Sequence, residues 1–248
     1  MEPKKSIIPR APALHPILSL PGVIQLVGLF RSIQRPVVRF LKPRSRYSLY
    51  PISVSYGFDR GKPVDRYYIE SFMDKYKADV KGRCLEITDN AYTIKYGEDR
   101  VTTSDVLDIN TGNKQANIYG DLQNIPNIPS DSYDCLILTQ TILMIPDYEA
   151  AIRECKRILK PGGVMLVTLS TLSPVWNIKY HMWRFTGASA NYIFGKYFNK
   201  DKFTVETWGN ALTGQAFWVG MAVEDLKPKE LEHNDPFFPV VVTIRAEK

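Results

Sequence analysis

The stretch from Tyr133 to Leu169 constrains the fold most. Tyr133-Asp134-Cys135-Leu136-Ile137-Leu138 is a nearly unbroken apolar run, as expected of a strand buried on both faces. Asp147 follows as a good helix N-cap. Tyr148, Ala151, Ile152, Cys155, Ile158 and Leu159 then recur at helical spacing and form one apolar face. Pro161-Gly162-Gly163 stops that helix, and Val164–Leu169 is a second apolar run. Strand, helix and strand in this order make a parallel βαβ unit, which must cover both faces of its sheet with helices.

The flanking sequence extends the alternation. Val64, Tyr68, Phe72 and Tyr76 recur every four residues and predict a helix over 64–77. Cys84–Ile87, Arg100–Val106 and Asn117–Gly120 read as strands one to three, Tyr133–Leu138 as the fourth and Val164–Leu169 as the fifth. Phe203–Trp208 and Val240–Arg245 read as the sixth and seventh. The fold class expected is α/β: a Rossmann-like three-layer sandwich around a seven-stranded, mostly parallel sheet. Such sheets bind ligands at the carboxyl ends of their strands, near the topological switch point.

Three acids are expected at successive strand ends: Glu86 ends strand one, Asp105 ends strand two and Asp121 follows strand three. The second suits the two hydroxyls of a ribose. The third can accept from an adenine amino group, and the first can hold the loop backbone or a ligand ammonium. Cys84, Cys135 and Cys155 show no paired spacing, so no metal site is expected and reduced, buried thiols are.

Charge divides the chain. Residues 1–50 hold nine Lys/Arg and one acid, whereas the rest hold 23 Lys/Arg and 25 acids. The excess basic charge belongs to an N-terminal arm (1–50), and the body (51–248) offers no basic face for nucleic acid. Within the arm, Leu26, Phe30, Ile33, Val37 and Leu41 share one helical face, and Arg31, Arg35, Arg39 and Lys42 another. That pattern over 22–42 suits an anionic membrane surface or a partner, or docking on the chain's own body. Pro12, Pro16 and Pro21 interrupt the uncharged stretch 11–30 and argue against a membrane span. The expected location is cytoplasmic, with possible membrane association.

The order Leu85-Glu86-Ile87, Ser104-Asp105-Val106, Gly120-Asp121-Leu122, Tyr133–Leu138 and Arg157-Ile158-Leu159-Lys160-Pro161-Gly162-Gly163 resembles the class I S-adenosylmethionine-dependent methyltransferases. The resemblance runs from about Val80 to Leu169. It implies sheet order 3-2-1-4-5-7-6 with strand seven antiparallel, and S-adenosylmethionine as cofactor. It places Glu86, Thr88 and Asn90 of the first loop against the cofactor, together with Asp105, Asp121 and Leu122. Arg60, Arg66 and Tyr67 close over the methionine portion. More narrowly, Arg60–Glu70, Leu138-Thr139-Gln140-Thr141 and Trp183-Arg184-Phe185-Thr186 resemble methyltransferase domains associated with glycosyltransferases of surface-glycan pathways.

One departure stands out. The family's first loop is Glu-x-Gly-x-Gly-x-Gly, and here Thr88, Asn90 and Tyr92 occupy the three glycine places. Glycine there lets backbone approach the ligand. His181, placed after strand five, is the candidate general base, and Gln140, just past strand four, can orient an acceptor hydroxyl. The aromatic-rich stretch at about 174–200 is expected to cap the acceptor. The expectation is therefore O-methylation of a sugar, glycan or related small molecule. A non-catalytic partner subunit of a glycan-assembly complex and a nicotinamide-dependent oxidoreductase are the alternatives.

Overall fold

The computed structural model describes residues 49–175 and 177–248. The amphipathic segment 22–42 and most of the linker after it lie outside the described residues, as does Trp176. Tyr50–Lys248 forms one compact unit. Its seven strands are β1 Gly82–Ile87, β2 Val101–Asp108, β3 Ile118–Tyr119, β4 Tyr133–Thr139, β5 Leu159–Ser170, β6 Phe203–Trp208 and β7 Val241–Glu247. They lie in the order 3-2-1-4-5-7-6. The pairs β1–β2, β1–β4, β2–β3 and β4–β5 are parallel, and β7 runs antiparallel between β5 and β6.

The period-2 alternation of a strand divides the core into two layers. Leu85, Leu136, Leu138, Met165 and Val167 face one side, while Cys84, Cys135, Ile137, Val164 and Leu166 face the other. The first side is covered by helix α3 (Tyr148–Ile158) and helix α4 (Gly187–Phe194). The second is covered by α1 (Val64–Lys75), α2 (Ala91–Gly97) and α5 (Ala211–Trp218), with the short α6 (Pro228–Glu232) against them. All three cysteines are free and buried.

The central βαβ unit forms as the sequence dictates. The Asp147 side chain accepts from Ala150 N at 2.9 Å and starts α3, and the helix ends at Ile158. The strand already begins at Leu159, so Pro161-Gly162-Gly163 lies within β5, where Gly162 at φ +76° sits at the register shift against β4. Arg157 in the last turn of α3 donates to the carbonyls of Ile128 at 2.8 Å and Ile125 at 2.9 Å. Glu154 pairs with that Arg and also accepts from Ile125 N. This network fixes the loop after β3, which carries Asp121.

The 174–200 stretch divides in two. Its second half forms α4, capped by Thr186 accepting from Ser189 N at 3.1 Å. Ala190, Ile193, Phe194 and Phe198 are buried in the main core. That half is the crossover layer between β5 and β6. The part that overlies the strand ends is 171–186, held where Met182 N and Trp183 N both donate to Leu143 O at 3.0 Å.

Candidate active site

At the end of β1, Glu86 is only 2% exposed. Its carboxyl accepts from Thr93 N and Thr93 Oγ1, both at 2.8 Å, and from Tyr92 N at 3.2 Å. It therefore caps the N-terminus of α2, whose first N–H groups have no partner within the helix. Burial pushes the Glu86 carboxyl up to about 7 against the opposing pull of these hydrogen bonds. Of the two roles open to it, the structure shows the one that holds the loop backbone.

Thr88 begins the loop at φ +75°, a left-handed conformation that is an outlier for a β-branched residue. Its N–H donates to Leu107 O at 3.0 Å, and its carbonyl accepts from Asn113 Nδ2 at 2.6 Å. Asn90 sits at φ −121° and Tyr92 lies inside α2. Of the family's three glycine places, only position 88 adopts the backbone that favours glycine. Asn90 donates to Ser104 Oγ at 3.0 Å. The Tyr92 hydroxyl accepts from Arg66 Nη1 at 2.9 Å, and its ring stacks on Tyr96.

The end of β2 corrects one expectation. The strand runs on to Asp108, so Asp105 stands inside it. Asp105 is 5% exposed and accepts from Asn117 Nδ2 at 2.7 Å, Arg83 Nε at 2.8 Å and the Tyr133 hydroxyl at 3.0 Å. Burial works against its charge, but Asn117, Arg83 and Tyr133 together hold the carboxyl below the usual range. Its acceptor capacity is used inside the protein. Asp108 is the acid at the strand end. It accepts from Asn110 N at 2.8 Å and Asn113 Nδ2 at 2.7 Å, and the same Asn113 reaches the Thr88 carbonyl. Beside it Ile109 is 71% exposed, an apolar surface next to a carboxylate.

Asp121, just past β3, accepts from Gln123 N at 2.9 Å and from Gln123 Nε2. Leu122 is buried in the core, so its side chain packs there and is not presented to a ligand. Arg60 is also drawn elsewhere, its guanidinium pairing with Asp225 at 3.0 and 3.1 Å. Arg66, in the first turn of α1, does lie against the first loop through Tyr92. Tyr67 packs edge-on against Tyr68 with ring centroids 5.3 Å apart.

Gln140 follows β4 at φ +52°, with its N–H on Thr168 O at 3.0 Å. β1 and β4 are neighbours at the point where strand order reverses. The strained residues Thr88 and Gln140 therefore flank the switch-point crevice. Strain of this kind costs about 1–3 kcal/mol and collects at functional sites. His181 lies in the 171–186 segment, with Arg184 Nη1 on its Nε2 at 3.1 Å and Ser173 Oγ at 3.5 Å. Arg184 also donates to Ser173 O. Burial, then the Arg184 charge, lowers the His181 pKa, so the ring is neutral near pH 7.

S-adenosylmethionine fits these residues. The turn at Thr88 keeps the backbone form that close approach requires, and two carboxylates, Asp108 and Asp121, stand at the ends of β2 and β3, with exposed Ile109 next to the first. The sheet order is the one that the resemblance to class I S-adenosylmethionine-dependent methyltransferases implies.

Comparison with known proteins agrees. Residues 72–167 match the family model described as "Methyltransferase domain". The chain is 33% identical over 85 residues to demethylmenaquinone methyltransferase of Staphylococcus haemolyticus, covering 34% of this chain and 35% of that protein. The Staphylococcus epidermidis enzyme of the same name is 34% identical over 85 residues, 34% of each chain. The chain thus spans about a third of the length of the curated relatives it matches. In fold it is similar to a SAM-dependent methyltransferase from Archaeoglobus fulgidus, with TM-score 0.51, 12% identity, and 74% of this chain and 94% of that one covered.

Proposed function

We propose that the chain transfers the methyl group of S-adenosylmethionine to an acceptor held between the strand ends and the 171–186 segment. The observation that carries this reading is the pair of left-handed residues, Thr88 and Gln140, at the adjoining ends of β1 and β4. Asp108 would take the ribose hydroxyls and Asp121 the adenine amino group, with Arg66 beside the loop that receives the methionine portion. The bound cofactor supplies an electrophilic methyl group on a sulfonium. This chain's own residues then position the acceptor and remove its proton.

His181 is the proposed base. Arg184 donates to Nε2, so the neutral ring carries its hydrogen on Nδ1 and its lone pair on Nε2, and Nε2 takes the proton once the acceptor hydroxyl replaces Arg184 there. His181→Ala should lower turnover by about 10²–10⁴ with little change in S-adenosylhomocysteine affinity. Turnover in the wild type should rise with pH through a value below 6.5, as the imidazole loses its proton. Turnover of His181→Ala within about threefold of wild type, short of the range for a lost general base, would remove His181 from that role.

For the acceptor, the reading is a hydroxyl of a sugar or glycan. A second reading has its own observation: Ile178, Tyr180, Met182 and Trp183 of the 171–186 segment are all exposed, a surface suited to an acceptor with a large apolar part. The relatives' named substrate, demethylmenaquinone, is the compound to try for it. Labelled methyl transfer from S-adenosylmethionine to glycan fragments and to demethylmenaquinone decides between the two. Label in neither would leave methyl transfer by this chain unsupported.

A further inference from the structure

We propose that the carboxyl end of the sheet is also a bilayer-docking face, on which the domain rests against an anionic lipid surface and meets an acceptor carried in that surface. The acceptor half rests on the methyl-transfer reading above; the docking half does not.

Three segments build this end of the molecule: 50–63, leading into α1; 171–186, leaving β5; and 209–240, joining β6 to β7. They are tied to one another. Ile52 N and Ser53 N donate to Val219 O at 2.7 and 3.2 Å, and Thr171 N donates to Val240 O at 3.1 Å. Pro63 forms an isolated bridge with Ala222. Val54, Phe58, Ile178, Trp218, Phe237 and Phe238 stand on these segments and are 49–91% exposed. On the flanks of the sheet α1 and α3 expose no large apolar side chain, α2 exposes Ile94 and α4 exposes Tyr192, each singly. Exposed apolar groups scattered singly need no explanation, but gathering them on one face marks an interaction surface. Aromatic rings on protruding loops also suit the boundary between headgroups and acyl chains.

The occupant follows from charge. Arg31, Arg35, Arg39 and Lys42 precede Tyr50 by 8 to 19 residues, and the chain enters the described fold on this same face. Since an extended chain spans at most about 3.6 Å per residue, Lys42 stays within roughly 30 Å of that entry. Each basic residue near an anionic leaflet adds about 1 kcal/mol of attraction. The acids on the three segments are matched in number by Arg60, Lys62, Lys179, Arg184, Lys227 and Lys229, so the face itself carries no net negative charge to repel an anionic leaflet. A basic segment joined to an apolar, aromatic face fits an anionic bilayer, whereas the body of a second copy, with 23 Lys/Arg against 25 acids, offers the basic segment only weak opposite charge.

The test uses the full chain with phosphatidylglycerol–phosphatidylcholine vesicles and with phosphatidylcholine alone. Wild type should sediment with the anionic vesicles, less so as salt rises. The double variant Phe237→Ser/Phe238→Ser should lose about tenfold in partitioning for each ring removed, with melting temperature and its shift by S-adenosylhomocysteine unchanged. Should that variant be unstable, Val54→Ser/Phe58→Ser probes the same face from a separate segment. Partitioning that is unaltered in a folded variant overturns the proposal. So does a concentration-dependent dimer in vesicle-free buffer that the same substitutions abolish, which would assign the face to a second copy. Ring-dependent vesicle binding without any ligand-induced shift in wild type would keep the docking face and reject the methyl-transfer reading.

Discussion

Asp108→Ala is expected to weaken S-adenosylhomocysteine binding about hundredfold, or about 2.7 kcal/mol, with a small effect on the melting temperature. The substitution takes away a strand-end carboxylate whose internal partners, Asn110 N and Asn113 Nδ2, lie in a loop open to water. Two ribose hydroxyls would then face no charged acceptor. Asp105→Ala should do the reverse. It strands the Tyr133 hydroxyl inside the protein, while the exposed Asn117 amide can turn to water, for a loss of about 1–3 kcal/mol of stability. The half-exposed Arg83 end of that cluster adds little, because exposed ion pairs are screened. Ligand affinity of the folded Asp105→Ala protein should stay within about threefold of wild type, since its hydrogen bonds all go to protein groups and a shift that small is under 1 kcal/mol. Calorimetric titration and thermal melts on the two variants measure both quantities. Equal losses of affinity in the two would contradict the assignment.

Glu86 supplies the second large effect. Its carboxyl has an ordinary value of 4.5 in the unfolded chain and about 7 when folded. Over that window the folded state binds more protons than the unfolded state. The stability it contributes is complete below about pH 4.5 and is lost as pH rises through about 7. Glu86→Gln keeps one oxygen to accept from Thr93, places its NH2 against Tyr92 N at a cost that does not vary with pH, and cannot ionise. Relative to wild type, the variant should therefore gain about 3 kcal/mol of stability between pH 4.5 and pH 8. Denaturant unfolding of both proteins across that range checks the sign. A difference that stays flat with pH would mean that Glu86 is ionised throughout and its burial is overcome.

The parts of the fold legible in the sequence are those where one periodicity runs long enough to exclude the other. Helix α3 and the flanking strands β4 and β5 are such a case, because a capped amphipathic helix between two doubly buried runs has one arrangement. β2 was harder to delimit. Its first half is largely exposed, Thr102 and Thr103 included, so no alternation marks its length. Asp105 and Asp108 follow Glu86 by 19 and 22 residues, and either fits the spacing of a ribose-binding acid. The buried Val106-Leu107 pair was the signal that the strand continued. Helices α5 and α6 went unread because each is short. Their marks were local: Asn210 accepting from Leu212 N and Thr213 N, and Pro228 at the start of α6. The glycine-less first loop is explained by backbone that sequence does not display. Position 90 has an ordinary φ, position 92 is helical, and the strain is confined to Thr88.

The central claim is that this end of the sheet binds S-adenosylmethionine. Thermal melts of the full chain with S-adenosylhomocysteine, and in parallel with NAD, test it most directly, because a ligand that binds only the folded state raises its melting temperature. S-adenosylhomocysteine should raise it in a concentration-dependent way, NAD should leave it unchanged, and Asp108→Ala should abolish most of the shift. A melting curve unmoved by millimolar S-adenosylhomocysteine, or one moved by NAD instead, would contradict the account.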